Sequence, residues 1–221
     1  MFRHKMLVFI LFIISLCTFS YAKAITNDLP LLGKVIYLDP GHGGTDPGAV
    51  YKEIYESNIN LEITKTLATL LEQKGATIYL TRYGDYDLAL PGAVNRKRSD
   101  LSRRGNIINR SECDLYISIH LNADVSSAWH GAQVFYDDVN EKNQDIAKSI
   151  QKYLKKELST KREEKETASM YLHKRVIRPG VLIEVGFISN PNERYLLQQT
   201  SYQIKLSNAI INGIINYYAN D

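Results

Sequence analysis

Residues 35–44, VIYLDPGHGG, set the first constraint on the fold: an apolar, β-branched run stops at Asp39 and Pro40 and releases a histidine between glycines. Val35, Ile36 and Leu38 favour a buried, pleated segment, while Pro40, Gly41, Gly43 and Gly44 end it and free the backbone to turn sharply. Such a strand delivers His42 to a cleft. Taken alone, His42 has two readings, a metal ligand or a loop histidine hydrogen-bonded in its own turn.

Downstream, the pattern alternates. An amphipathic helix opens near Glu56 and Ser57, places Ile59, Ile63, Leu67, Leu70 and Leu71 at three- and four-residue spacing, and closes at Gly75. Residues 76–81, ATIYLT, read as the next strand, so these elements form a right-handed βαβ unit with parallel strands. Residues 83–100 are broken by Gly, Pro, Asp and basic residues and read as a long surface loop. A helix over 101–109 leads to a strand over 115–119 that ends at His120. A strand over 131–136, a helix over 141–158 and a solvated charge run, KREEKE at 161–166, come next. The last strand spans 181–187 and carries Glu184, and helices over 192–199 and 202–218 complete the chain. The class predicted is α/β: a single domain with a mostly parallel, twisted sheet of about six strands flanked by helices.

The first 24 residues differ in kind from the rest, with Arg3, His4 and Lys5 ahead of an apolar run from Met6 to Phe19 and then Ala22-Lys23-Ala24. That run is shorter than the roughly 20 residues needed to cross hydrocarbon, and the small-x-small ending supplies a cleavage site. Residues 1–24 therefore read as a signal peptide, 25–33 as an exposed lead-in and 34–221 as the folded domain. An uncleaved anchor would be the chain's one attachment to a membrane. Leu16 is too bulky for the residue before a lipidated Cys17. Signal removal leaves Cys113 alone, so no intramolecular disulfide forms, and an exported chain without disulfides fits a bacterial envelope. A net charge of +3 suits an anionic polymer but falls short of a nucleic-acid signature, and no nucleic-acid partner is expected.

In an open parallel sheet, sites form outside the carboxyl ends of the strands. His42 and His120 follow two such ends, Glu56 starts the helix leaving the first loop, and Glu184 lies within the last strand. Two histidines and a carboxylate around an open position make a hydrolytic zinc set, and a further carboxylate accepts the proton of the attacking water. Each residue also has a plainer reading. Glu56 suits a helix N-terminus, and His120 suits a satisfied core position. Glu184 is harder to dismiss, because an ionised carboxylate among Val, Leu, Ile and Phe is costly unless paired or used.

DPGHGG with Gly48 and Glu56 behind it, SIHLNA at 118–123 and IEVGFISN at 183–190 resemble the zinc-dependent N-acetylmuramoyl-L-alanine amidases of bacterial cell walls, the AmiC-like amidase family. The resemblance runs from about Lys34 to Tyr218. It implies one zinc ion held by His42, Glu56 and His120, with Glu184 as the catalytic glutamate. Within the family, the stretch KRSDLSRRGNIINRSECDLYISIHLNA and the lack of a wall-binding repeat are most similar to the spore-cortex, germination-specific branch, where peptide removal from muramic acid precedes muramic-δ-lactam. That branch implies peptidoglycan as substrate and the forespore or cortex compartment as location; with no recognisable wall-binding module to hold the domain on substrate, an activating or anchoring envelope protein is expected as partner. Where the family often carries an arginine before the glutamate strand, this chain has His173, with Lys174, Arg175 and Arg178 close by.

The expected reaction is hydrolysis of the amide between N-acetylmuramic acid and L-alanine, with Asn122 or a backbone N–H supporting the oxyanion. Arg104, in a basic segment with Arg96, Lys97, Arg98 and Arg103, is a candidate to meet carboxylates of the peptide stem, the plainer reading being a solvated loop and helix face; Arg175, close to the family's arginine position, is a further candidate substrate contact. Two alternatives stay open: a zinc peptidase acting within the stem, and a non-catalytic envelope partner with a structural metal.

Overall fold

A computed structural model describes residues 29–167 and 170–220, so the expected signal peptide and residues 25–28 of the lead-in lie outside the described residues. In chain order the strands are β1 (Val35–Pro40), β2 (Val50–Tyr51), β3 (Ile54–Tyr55), β4 (Thr77–Leu80), β5 (Leu115–Asn122), β6 (Gln133–Tyr136), β7 (Lys165–Glu166) and β8 (Gly180–Phe187). The helices are α1 (Glu56–Glu72), α2 (Arg96–Arg110), α3 (Asn143–Leu158), α4 (Pro191–Leu197) and α5 (Thr200–Tyr218), with a 3-10 turn over His173–Arg175. Six strands form one sheet in the order β4-β1-β5-β8-β6-β7, and β2 and β3 make a separate hairpin. β4, β1, β5 and β8 run parallel, β6 is antiparallel to β8, and β7 is parallel to β6. Among the described residues no helix is long and apolar enough to cross a membrane.

Alternation along the central strands assigns the two faces. Leu115, Ile117, Ile119 and Leu121 of β5 and Val181, Ile183 and Val185 of β8 enter the main core, which α1, α3 and α5 cover. Fully burying each such side chain contributes roughly 1.5–3 kcal/mol. The opposite parity, Tyr116, Ser118 and His120 on β5 with Leu182 and Glu184 on β8, faces the other way. There a smaller cluster of Ile108, Cys113, Tyr116, Leu172 and Val176 packs beneath α2 and the 3-10 turn. Cys113 is a free thiol packed within it. Glu184 thus sits in an apolar run whose alternate side chains do not share its surroundings.

Four expectations change in detail. The loop expected over 83–100 ends earlier, because α2 starts at Arg96, where the Asn95 side chain caps it by accepting the Arg98 N–H at 2.9 Å. Its buried side includes Asp100 and Arg104, so no apolar stripe announced it. His120 lies inside β5 rather than beyond it, next to a register shift between His120 and Asn122. Lys165 and Glu166 of the charge run form the edge strand β7, where exposed charges protect an open edge from further pairing. In the lead-in, Pro30, Leu32 and Gly33 are exposed, but Leu31 is buried in the main core and its N–H donates to the Lys74 carbonyl at 2.9 Å.

Candidate metal centre and its cavity

β1 carries the chain to the rim of the sheet and its exit loop turns back with His42 in a left-handed conformation, φ 62°. Two buried arginines hold this strained turn. Arg82 donates to the carbonyls of Pro40 at 3.0 Å, Gly41 at 2.9 Å and Ser57 at 2.8 Å. Arg104 donates to the carbonyls of Pro40 at 2.8 Å and His42 at 2.6 Å, and to the Asp39 carboxylate at 2.8 Å and the Asp100 carboxylate at 2.9 Å. Backbone oxygens on three successive loop residues are thus fixed by side chains from β4's exit and from α2.

The turn brings His42 to Glu56, the first residue of α1. His42 Nε2 and His120 Nδ1 lie 3.2 and 3.1 Å from the same oxygen, Glu56 Oε1. That oxygen also accepts the Leu121 N–H at 3.0 Å and the Asn60 amide at 3.2 Å, while Oε2 accepts the Ala49 N–H at 2.8 Å. Four groups around one oxygen exceed what its lone pairs serve. A cation held by His42, Glu56 and His120 would relieve this crowding, since each residue offers one ligand atom and these all lie within 4.8 Å of one another. The donor set therefore fits a divalent metal with nitrogen and oxygen ligands. Asp46 Oδ2, 3.0 Å from His42 Nδ1, orients the ring from behind, as outer carboxylates do for ligating histidines.

Close approach explains two glycines of this region. A Cβ on Gly41 would fall 2.3 Å from the His120 ring. One on Gly48, whose φ is +68°, would fall 2.6 Å from Glu56 Oε2. Both positions exclude any side chain where the ligands pack.

His42, His120 and Glu184 line one cavity of about 260 Å³, together with Asp39, Ser118, Arg104, Lys97 and Tyr171. Burial would raise the Glu56 carboxyl, but hydrogen bonds and charge from His120 and His42 overcome it and hold the group far below the usual carboxylate range. Burial wins at Glu184, which is pushed up to about 7 although His120 opposes the rise, and its Oε2 is buried without a partner. Asp39 goes the other way: burial opposes ionisation, yet Arg104 and the hydroxyls of Thr81 and Ser118 hold it at about 2.

The expected metal residues and Glu184 thus come together; of the expected substrate residues Arg104 lines the same cavity, while Arg175 and Asn122 do not. Arg104 is buried and spends four of its five N–H donors on protein groups. Arg175 is exposed and stacks 4.4 Å from the centre of the Tyr171 ring, outside the cavity lining. Asn122 is half-buried two residues beyond His120 and does not line the cavity. Sequence reasoning passed over Arg82, Asp46 and the role of Asp39. For Asp46 a signal existed in its place four residues after His42; for Arg82 and Asp39 none did, since their partners come from other elements.

Three comparisons agree with this geometry. The N-acetylmuramoyl-L-alanine amidase family matches residues 36–216. The germination-specific N-acetylmuramoyl-L-alanine amidase of Bacillus subtilis is 45% identical over 225 residues, spanning 97% of this chain and 94% of that one. The CwlD amidase of Clostridioides difficile, solved in complex with the GerS lipoprotein, is 40% identical with a TM-score of 0.81 and covers 86% of this chain and 100% of its own. A second N-acetylmuramoyl-L-alanine amidase structure, from Clostridium difficile 630, is 26% identical with a TM-score of 0.76, covering 85% of this chain and 98% of its own. With a matching family over most of its length and relatives alike in sequence and fold, this chain belongs to the N-acetylmuramoyl-L-alanine amidases.

Proposed function

We propose that the chain hydrolyses, with one zinc ion, the amide between the lactyl carboxyl of N-acetylmuramic acid and L-alanine in peptidoglycan, in the spore cortex and on the way to muramic-δ-lactam. The observation that carries this reading is the convergence of His42, Glu56 and His120 beside the cavity that His42, His120 and Glu184 line, with Glu184 Oε2 buried and unpartnered. His42 Nε2, Glu56 Oε1 and His120 Nδ1 would hold the metal. When bound, zinc lowers the pKa of its water and polarises the amide carbonyl. Glu184 takes the proton of the attacking water and returns it to the departing amine of L-alanine. Its apolar surroundings favour the neutral carboxylic acid, which suits the return step. Asp46 keeps the His42 ring in its ligating orientation, and Arg82 and Arg104 keep the loop in place.

The relatives extend the reading. Likeness to a germination-specific amidase supports export and a cortex location, with residues 1–24 as the signal. A relative solved with a lipoprotein supports an activating or anchoring envelope partner. The test is mass spectrometry of muropeptides from purified peptidoglycan incubated with residues 25–221, with and without a chelator. Peptide-free muramic acid and stem peptides starting at L-alanine, lost on chelation and restored by zinc, are expected. Cuts inside the stem would move the chain to the peptidases.

A further inference from the structure

His173 lies in the 3-10 turn and lines the same cavity as His42, His120 and Glu184. It is 2% exposed. One edge of the ring is committed, with Nδ1 2.8 Å from the Tyr116 hydroxyl. The other nitrogen, Nε2, is buried with no protein partner. Asp137 Oδ2 stands 3.7 Å from Nδ1, beyond hydrogen-bond reach.

The hydrogen-bond inventory decides the tautomer. Tyr116 is fully buried, and its hydroxyl makes its hydrogen bond with His173 Nδ1. If Nδ1 carried the proton, the hydroxyl would accept it, and its own hydrogen would be left without an acceptor, since Asp137 Oδ2, the buried carboxylate oxygen nearby, makes no hydrogen bond. With the hydroxyl donating, both groups are satisfied and the ring proton sits on Nε2. Burial, reinforced by the charge of His120, holds His173 down at about 4, so the ring is neutral near pH 7. The cavity therefore has in its wall a neutral donor without an acceptor.

We propose that His173 Nε2–H donates a hydrogen bond to the acyl oxygen of the scissile amide, and that Tyr116 is the positioning residue that keeps the proton on Nε2. This rests on the amidase reading above. A stem carboxylate would bring a full charge to a neutral, dehydrated donor, whereas Lys97 at the cavity wall meets such a charge better. A preorganised neutral dipole in a dry site is instead suited to an oxygen that gains charge during the reaction. It must then share the cavity with the proton-transfer group, as His173 does with Glu184.

The test uses the zinc-loaded chain and a soluble muropeptide. His173→Asn can accept from Tyr116 but leaves nothing at Nε2; kcat should fall by about 100-fold with KM, zinc content and Tm unchanged. His173→Gln, whose amide reaches the Nε2 position, should recover part of that loss, and Tyr116→Phe should give an intermediate kcat. Nitrogen-15 NMR of the wild-type chain, without metal or substrate, should show the Nε2–H tautomer. An Nδ1–H tautomer would overturn the proposal. So would a folded, metal-loaded His173→Asn with wild-type kcat, or one whose KM rises while kcat holds. If the wild-type chain releases no peptide from muramic acid, it is the amidase reading that fails, and the NMR result stands apart from it.

Discussion

Replacing Arg104 by methionine tests whether this arginine holds the ligand loop or waits for substrate. The Asp39 carboxyl lies at about 2 against an ordinary 3.8, with burial opposing and Arg104 the largest favourable cause. At about 1.36 kcal/mol per pH unit, that difference corresponds to about 2–3 kcal/mol of stability. The carbonyls of Pro40 and His42 lose donors as well, and breaking a buried pair by removing one partner costs about 3–5 kcal/mol in total. The sign follows from the depressed pKa: in the wild type this stability is complete above pH 3.8 and is lost as pH falls through about 2. In the Arg104→Met chain, burial instead drives Asp39 up, so protonation relieves the penalty at mildly acidic pH. Urea unfolding followed by far-UV circular dichroism, with chelator present to exclude metal linkage, should show a loss of about 3–5 kcal/mol near neutrality that shrinks towards about pH 4. A loss below about 1 kcal/mol, of the size typical for exposed ion pairs, together with a raised KM, would refute the clamp and return Arg104 to the substrate contacts.

Glu184→Gln should lower kcat by about 100-fold or more while the zinc content measured by atomic emission stays at one per chain. A variant that lost zinc yet regained appreciable activity on metal addition would show the assigned role to be wrong. Asp46→Asn should weaken zinc binding by about 10- to 100-fold in a competitive chelator titration, with the fold intact, because the charged support behind His42 is removed while an oxygen remains for the Gly48 N–H. Gly41→Ala forces a Cβ to 2.3 Å from the His120 ring and should lose metal affinity as well as Tm; wild-type zinc affinity would mean that the loop yields. Glu56→Gln should abolish zinc binding but leave α1 folded, since Oε1 is the oxygen both histidines face.

Much of the site was legible because its residues stand at strand ends and helix starts, where chain order alone points to a common rim. His42, Glu56 and His120 come together as the alternating pattern predicts, and period-two alternation already separates Glu184 from Val185 and Ile183. The helix start at Arg96 was hidden, since its buried side is partly ionic, and so was the pairing of Lys165-Glu166, because a short edge strand needs no apolar periodicity.

By itself the sequence determined the class of fold, the order of its elements and the residue types that gather at the rim, because hydrophobic periodicity and turn chemistry act locally. Only the tertiary structure decided what those residues meet. Arg104 reads as a surface cation until Asp39, Asp100 and two loop carbonyls, the farthest 65 residues away, close around it. His173 reads only as the residue standing where the family often has an arginine, until Tyr116, 57 residues earlier, fixes one nitrogen and leaves the other buried without a protein partner. Burial and hydrogen-bond satisfaction are properties of neighbours in space, and periodicity along a chain carries no record of them.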